Sequence, residues 1–161
     1  MRKSIWITLL LVLVPVLSRA QVGDDLRRQG YVFGAPGAFV YDGAATTFEF
    51  GGGMQWLVSN GLGLGFDASL LRFPECFSCF SLALGSFDAS YHFVPSRGRL
   101  VPFVLGGIGG VAIDGGGAVL GSVGGGVNYW FENGMALRVE VRDRFDREGV
   151  HLLGVRIGVT F

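Results

Sequence analysis

The sequence predicts an all-β protein, a closed eight-stranded antiparallel transmembrane β-barrel preceded by a signal peptide. Three observations lead to this fold class. Of the 161 residues, 28 are Gly and 13% are aromatic whereas only 16% are charged, a composition that favours strands and excludes a disordered chain. Beyond residue 30, apolar residues alternate with small or polar ones in successive segments. Beyond residue 20 the chain contains no Lys, a residue that the water-exposed wall of a soluble barrel would carry.

Residues 1–20 have the organisation of a secretory signal peptide. A positively charged start precedes an apolar run over 5–17, and small residues at the −3 and −1 positions place the cleavage between Ala20 and Gln21. The alternative, an uncleaved membrane anchor, is disfavoured because the run is shorter than the ~20 residues that a helical span needs. Cleavage leaves residues 21–161 as one barrel domain, with 10 of the 13 basic groups remaining against 13 acids.

Turn signals divide the exported part of the chain into strands. Asn-Gly pairs at 60–61 and 133–134 are typical of tight hairpins. No segment after residue 20 has 18 successive apolar residues, so we expect no transmembrane helix. The eight predicted strands cover residues 31–41, 45–57, 61–73, 80–94, 100–113, 119–131, 135–145 and 150–161.

The two faces of these strands differ in polarity. In the last strand, Leu153, Val155 and Ile157 share one face, while Gly154 and Arg156 share the other. A soluble barrel would bury the apolar face, and a membrane barrel would turn it outward to lipid. The interior of an eight-stranded barrel is just wide enough for side chains to fill. The apolar faces carry too many aromatic rings for that space, so we expect them to face lipid.

Aromatic residues gather toward the strand ends, as the two interfacial girdles of a membrane barrel require. The alternative is an ordinary β-sandwich whose aromatic residues form the core. One girdle is predicted to contain Trp56, Tyr91, Phe93, Phe103, Tyr129 and Phe131, and the other Phe39, Tyr41, Phe73, Phe80 and Phe145.

The polar faces place acidic and basic side chains together in the lumen. Each unpaired buried charge would cost several kcal/mol, so we expect these groups to pair across the barrel. The resulting network would fill the lumen, with a gated narrow path or a ligand site as the alternative interpretation. The predicted network consists of Glu49, Asp67, Asp88, Arg138, Glu140, Arg142 and Arg156. The alternation also places on the inward faces Arg144, Gln55, Ser69, Ser90, His92 and Asn128.

No metal or cofactor is predicted. Cys76 and Cys79 form a C-x-x-C pair without a second pair, so a disulfide across a loop is favoured over thiol redox chemistry or half of a zinc site. Glycine runs match neither a dinucleotide-binding nor a P-loop motif. Asp88, Ser90 and His92 form an inward column with a spacing of about 6.5 Å, which is outside hydrogen-bond reach. We therefore do not expect the protein to be an enzyme.

Several segments resemble a known family. The alternating segment 154–161, which ends in Phe161, resembles the signature by which outer-membrane proteins are recognised for insertion. Segments 102–107, 124–129 and 137–143 resemble the second half of the small OmpA-like outer-membrane β-barrel family. The resemblance implies the eight-stranded barrel domain without a peptidoglycan-binding domain, located in the outer membrane of a Gram-negative-type bacterium, with Phe161 in the insertion signal.

The same resemblance gives the expected function. It implies an integral envelope protein with a structural or interaction role and at most a narrow or gated pore. The implied partners are outer-membrane lipid, lipopolysaccharide and the insertion machinery, and the expected state is a monomer. The formal net charge of zero disfavours nucleic-acid binding. The alternatives are an outer-membrane lipid-modifying enzyme of the lipid A deacylase type, or a soluble secreted barrel that binds a hydrophobic ligand.

Overall fold

The computed structural model describes residues 28–59, 61–74, 81–93, 98–113, 116–132 and 134–161. The predicted signal peptide with its cleavage site at Ala20 and Gln21, the Cys76–Cys79 pair and Phe80 lie outside the described residues. No helix within the described ranges is long and apolar enough to cross a membrane.

All eight predicted strands are present, with boundaries that differ from the predicted ones by a few residues. They are β1 (Arg28–Val40), β2 (Ala44–Ser59), β3 (Leu62–Arg72), β4 (Leu82–His92), β5 (Leu100–Ile113), β6 (Gly116–Trp130), β7 (Ala136–Phe145) and β8 (His151–Thr160).

The strands form a closed barrel in which each one pairs antiparallel with its neighbours in the sequence. Pairing of β1 with β8 closes the barrel. The last rung of this seam lies just beyond β8, where the amides of Gly30 and Phe161 donate to each other's carbonyl oxygens at 2.8 Å. We call the end of the barrel that holds this rung the terminal rim and the opposite end the distal rim.

Two of the predicted hairpin turns at the terminal rim have the required backbone. Gly61 has φ of 87° and Gly134 has φ of 79°, both in the left-handed region that glycine adopts without a steric penalty. Short connections of this kind join strands that are adjacent in the sequence, which keeps the barrel a simple up-and-down meander.

The predicted orientation of the strand faces is confirmed. Phe87, Ile108 and Leu64 are 73%, 59% and 53% exposed on the outer wall, whereas Arg142 and Glu140 are 2% and 1% exposed in the lumen. This distribution is the reverse of that in a soluble barrel, and it defines a transmembrane β-barrel fold. The hypothesis of a soluble barrel with an apolar interior is therefore wrong.

The predicted aromatic girdle at the terminal rim needs one correction. Trp56, Tyr129 and Phe131 are exposed on the outer wall, as expected. Phe103 instead faces the lumen, where it is 2% exposed and stacks on His92 with a ring-centroid distance of 5.2 Å. Strand β5 is apolar on both faces near this point, so its alternation did not indicate which residues point inward.

The predicted girdle at the distal rim is wrong for two of its members. Tyr41 is exposed there, but Phe39 and Phe73 pack against the buried cluster of Leu71, Leu84, Leu120 and Leu152. The two phenylalanine rings lie 6.0 Å apart in an edge-to-face arrangement. The four leucines form one buried cluster inside the distal end of the barrel, which we call the distal leucine cluster. Removing these side chains from solvent stabilises the barrel.

Candidate functional site: a charged lumen

The charged side chains of the lumen come from opposite walls of the barrel. Strand β7 carries four of them in one inward column, and Arg156 joins the column from β8. The facing strands β2, β3 and β4 each supply one acid, Glu49, Asp67 and Asp88. All eight charged side chains are buried, and the four acids balance the four arginines. The column on β7 consists of Arg138, Glu140, Arg142 and Arg144.

Glu140 lies at the centre of the basic wall. Arg138 donates to its Oε2 from Nε at 3.0 Å and from Nη2 at 2.7 Å. Arg142 donates to Oε1 from Nε at 2.7 Å, and Arg156 approaches the same oxygen at 3.5 Å. One carboxylate therefore serves three guanidinium groups, and this compensation lets the basic column lie in a space from which water is largely excluded.

Arg142 connects this wall with the opposite one. Its Nη1 donates to Asp67 Oδ2 at 2.9 Å and to Asp88 Oδ2 at 2.8 Å. The bonded residues are 75 and 54 positions apart in the sequence, so each bond joins strands that meet only in the closed barrel. Arg142 thus ties β7 to β3 and β4 across the lumen.

A second connection across the lumen converges on Glu49. Arg144 forms a two-bond pair with this carboxylate, with both nitrogen–oxygen distances at 3.0 Å. Arg156 donates to Glu49 Oε1 at 2.8 Å and to Asp67 Oδ2 at 3.1 Å. The predicted network is therefore assembled as one connected set, and Arg144 belongs to it.

Neutral side chains complete the bonding of the acids. Ser69 donates to Glu49 at 2.6 Å, and Ser86 and Ser122 each donate to Asp88 at 2.9 Å. Of these, Ser69 was predicted to face the lumen, and the alternation of β4 places Ser86 on the same polar face as Asp88. Ser122 lies at an inward position of β6 and was not predicted, because a hydroxyl gives no signal of its own.

Aromatic rings stack on two of the lumen arginines. The guanidinium carbon of Arg138 lies 4.1 Å from the ring centroid of Phe103 and 4.7 Å from that of Tyr31. Arg156 lies 4.0 Å above Phe33. A cation over a ring face is stabilised by the ring quadrupole, and more so where water is excluded. Tyr31 and Phe33 were not predicted to face the lumen, because strand β1 is mostly apolar or small and lacks an obvious polar face.

Gly126 provides the space for the Phe103–Arg138 stack. A Cβ atom at this position would lie 2.9 Å from Phe103 Cζ and 2.8 Å from Glu140 Cα. Neither group could remain in place beside a side chain. Glycine is therefore required here for close approach, not for turning the chain.

The inward column with Ser90 and His92 departs from the prediction. Ser90 Oγ lies 3.3 Å from His92 Nε2, within hydrogen-bond reach, because the side chains lean together although their Cα atoms are farther apart. Gln55 donates to Ser90 at 3.1 Å and also contacts the His92 ring. Asp88 is bonded to arginine and serine side chains instead, so no acid among the described residues is bonded to His92.

Within the described ranges, no group of three or more His, Cys, Asp or Glu side chains is arranged to hold a metal ion. Two layers of buried side chains occupy the lumen. The charge network occupies its middle, and the distal leucine cluster fills the distal end.

The fold and the lumen together define a small transmembrane β-barrel with a filled interior. Among solved structures, Neisserial surface protein A is similar with a TM-score of 0.69 at 17% identity, covering 83% of this chain and 95% of that one. The N-terminal β-barrel domain of Pseudomonas aeruginosa OprF gives 0.54 at 17% identity, with 81% and 97% covered. The outer membrane enzyme PagL gives 0.50 at 18% identity, with 81% and 98% covered.

No protein-family model matches the chain, and the search of curated proteins gives no significant match. The similarities to solved structures therefore establish the fold. This fold is the small eight-stranded outer-membrane barrel, which is the fold implied by the resemblance to the OmpA-like family.

Proposed function

We propose that this chain is an integral outer-membrane protein of a Gram-negative-type bacterium, with a structural or interaction role in the envelope. The observation that carries the proposal is the inverted distribution of polarity, with large apolar side chains on the wall and paired charges in the lumen. Such a wall is stable only where lipid covers it, and a closed barrel leaves no unpaired strand edge in the bilayer.

The proposal includes an orientation. The terminal rim, which holds the start of β1 and the end of β8, faces the periplasm, and the distal rim faces the exterior. A signal peptide ending at Ala20 accounts for export, and Phe161 takes part in recognition by the insertion machinery. Outer-membrane lipid and lipopolysaccharide then surround a monomeric barrel.

A filled lumen supports a structural role over a permanent pore. Each arginine of the network is bonded to at least one buried carboxylate, and Arg142 bonds to three. A wide path would require several of these pairs to break at once, and breaking one buried pair costs about 3–5 kcal/mol. We therefore propose at most a narrow or gated conductance.

Fractionation and conductance measurements test the proposal. We expect the protein in the outer-membrane fraction, resistant to extraction with alkaline carbonate and soluble in detergent, with heat-modifiable migration on a gel. In planar bilayers the purified barrel should show no large, steady open state. Recovery in the periplasmic fraction without detergent would refute the membrane location, and a large steady conductance would refute the closed lumen.

An outer-membrane lipid-modifying enzyme remains the second candidate. Ser90 and His92 are in contact, but they are only 6% and 2% exposed inside the lumen, where a membrane lipid does not reach. On the outer wall His151 bonds to Asp143 at 2.9 Å, and no serine is bonded to this pair among the described residues. Mass spectra of lipid A from cells with and without the protein test this candidate, and an unchanged acylation pattern is expected.

A further inference from the structure

The outer wall carries an apolar depression near the distal rim. On β4 and β5 two adjacent rungs contain only small residues, because Gly85 pairs with Gly110 and Ala83 pairs with Ala112. The depression has a volume of about 700 Å³ and lies on the side of the barrel that faces lipid. A Cβ atom at Gly85 would meet no atom closer than 3.9 Å, so the space above this residue is open.

Large side chains border the depression on two sides. The next rung toward the terminal rim pairs Phe87 with Ile108, and these residues are 73% and 59% exposed. Val119, 69% exposed, borders it on β6. The depression is thus an open pocket with the Phe87–Ile108 ledge on one side and Val119 on another.

An arginine lies on the neighbouring strand β3, on the distal side of this pocket. Leu70 pairs with Ala83, so Arg72 lies two residues closer to the distal rim than this rung, and its Nε donates to Ser81 Oγ at 2.9 Å just before β4 begins. Arg72 is exposed, and no carboxylate is paired with it among the described residues. Within the described part of the chain, no hydrogen bond or ion pair engages its two terminal nitrogens.

We propose that this pocket binds a phosphorylated lipid of the outer leaflet, with an acyl chain in the depression and the phosphate on Arg72. The inference rests on the proposed function, because the pocket opens to lipid only in a membrane. The guanidinium group presents paired donors that match a phosphate, and the pocket below it offers apolar contact to a chain. The distal rim is the end assigned to the outer leaflet.

A second copy of this chain fits the pocket less well. In a symmetric membrane dimer the two-fold axis is parallel to the membrane normal. Each residue therefore meets residues of the partner that lie at the same depth in the bilayer. The Phe87–Ile108 ledge would then meet the same ledge, and the depression would face a depression. A flexible acyl chain can fill that space, whereas the equivalent protein surface cannot.

Lipid titration followed by native mass spectrometry tests the assignment on the full barrel in a non-ionic detergent. The probes are dipalmitoyl phosphatidic acid and dipalmitoylglycerol, which differ only in the phosphate, together with inorganic phosphate alone. We expect phosphatidic acid to bind about tenfold more tightly than dipalmitoylglycerol, a difference equivalent to one charge-assisted contact. Inorganic phosphate alone should bind at least a hundredfold more weakly than phosphatidic acid.

Two variants test the phosphate contact and the apolar pocket separately. Arg72→Ala should abolish the preference for phosphatidic acid, and Gly85→Leu should weaken both lipids about tenfold by filling the pocket. The matched controls are Arg28→Ala, an exposed arginine at the start of β1 on the terminal rim, and Gly34→Leu, on the outer wall of β1. Both controls should stay within twofold of the wild type, and retained heat-modifiability shows that each variant is folded.

The outcomes separate this inference from the proposed function. Equal affinity for both lipids, or unchanged binding by Arg72→Ala and Gly85→Leu, overturns the lipid site while leaving the membrane location intact. A dimer in the mass spectrum that disappears in Gly85→Leu overturns it in favour of a second copy. Failure of the wild type to fractionate with the outer membrane contradicts the proposed function itself.

Discussion

At the scale of single residues, Glu140 is one of two lumen acids, with Asp67, that each contact three arginines. It is 1% exposed and bonds to Arg138 and Arg142, with Arg156 at 3.5 Å. Removing it leaves three guanidinium groups with fewer partners in a space where unpaired charge is costly. No other acid of the network is in contact with Arg138.

We expect Glu140→Ala to lower the free energy of unfolding by about 3–5 kcal/mol, and by less if water enters the lumen. Adding Arg138→Ala should restore part of that loss, because it removes the arginine that depends most on Glu140. The measurement is urea unfolding in detergent or lipid of the wild type, the two single variants and the double variant.

Glu132→Ala is the matched control for this experiment. Glu132 pairs with Arg99 at the terminal rim, where the two side chains are 83% and 54% exposed. An exposed pair contributes less than about 1 kcal/mol, so this variant should unfold near the wild-type midpoint. If Glu140→Ala shifts the midpoint no further than Glu132→Ala does, the lumen is wet enough to screen its charges.

At the scale of secondary-structure elements, the seam between β1 and β8 is where the barrel closes. The ring of Phe161 lies over Gly30, and a Cβ atom at residue 30 would come within 2.8 Å of Phe161 Cε2. Gly34, on the same face of β1, has more room, since the nearest atom to a Cβ there is Phe48 Cζ at 3.5 Å. The two glycines therefore differ in whether a side chain is tolerated.

Alanine substitutions at these glycines should have opposite effects on stability. Gly34→Ala should stabilise the barrel by about 0.5 kcal/mol, because alanine is less costly than glycine in a strand. Gly30→Ala has the same gain but must displace the Phe161 ring, at a cost of about 1 kcal/mol, so it should destabilise the barrel by about 0.5 kcal/mol. Urea midpoints in the same detergent measure both, and equal shifts would show that the Phe161 contact does not support the seam.

Phe161→Asp tests the proposed insertion role of β8. This change places a charge at the seam and removes the aromatic group of the insertion signal, so outer-membrane abundance should fall severalfold while synthesis is unchanged. Pulse labelling followed by fractionation separates synthesis from insertion. Wild-type abundance of the variant would remove the support that this segment gives to the family resemblance.

At the scale of the whole molecule, two different layers close the lumen in series. The charge network blocks the middle, and the distal leucine cluster blocks the distal end. An ion must pass both layers, and a hydrophobic constriction resists ions because it excludes water. Opening one layer leaves the other in place.

We therefore expect conductance to rise only when both layers are opened. Glu140→Ala alone and a Leu84→Ala, Leu152→Ala double variant alone should each stay near the wild-type conductance in planar bilayers. The triple variant should show clear single-channel steps. Steps from Glu140→Ala alone would mean that the leucine cluster is no barrier and that Glu140 belongs to a gate.

The sequence by itself determined the strand count, the outward direction of the apolar strand faces and the charged members of the lumen network. Alternation is strict over residues 137–142 of β7 and 153–159 of β8, with apolar residues on one face and charged residues or glycine on the other. The inward positions of Arg138, Glu140 and Arg156 could therefore be predicted. A period of two residues specifies which face a side chain takes, and the width of an eight-stranded barrel specifies which face is outside.

The tertiary structure alone decided which charges pair and where apolar residues turn inward. Arg142 contacts Asp67 and Asp88 only because closure of the barrel brings β7 opposite β3 and β4. Local sequence patterns do not encode this long-range arrangement. Phe39 and Phe103 lie where both faces of a strand are apolar or small, so periodicity gave no direction for them. Their inward packing follows from the space that the closed barrel leaves to be filled.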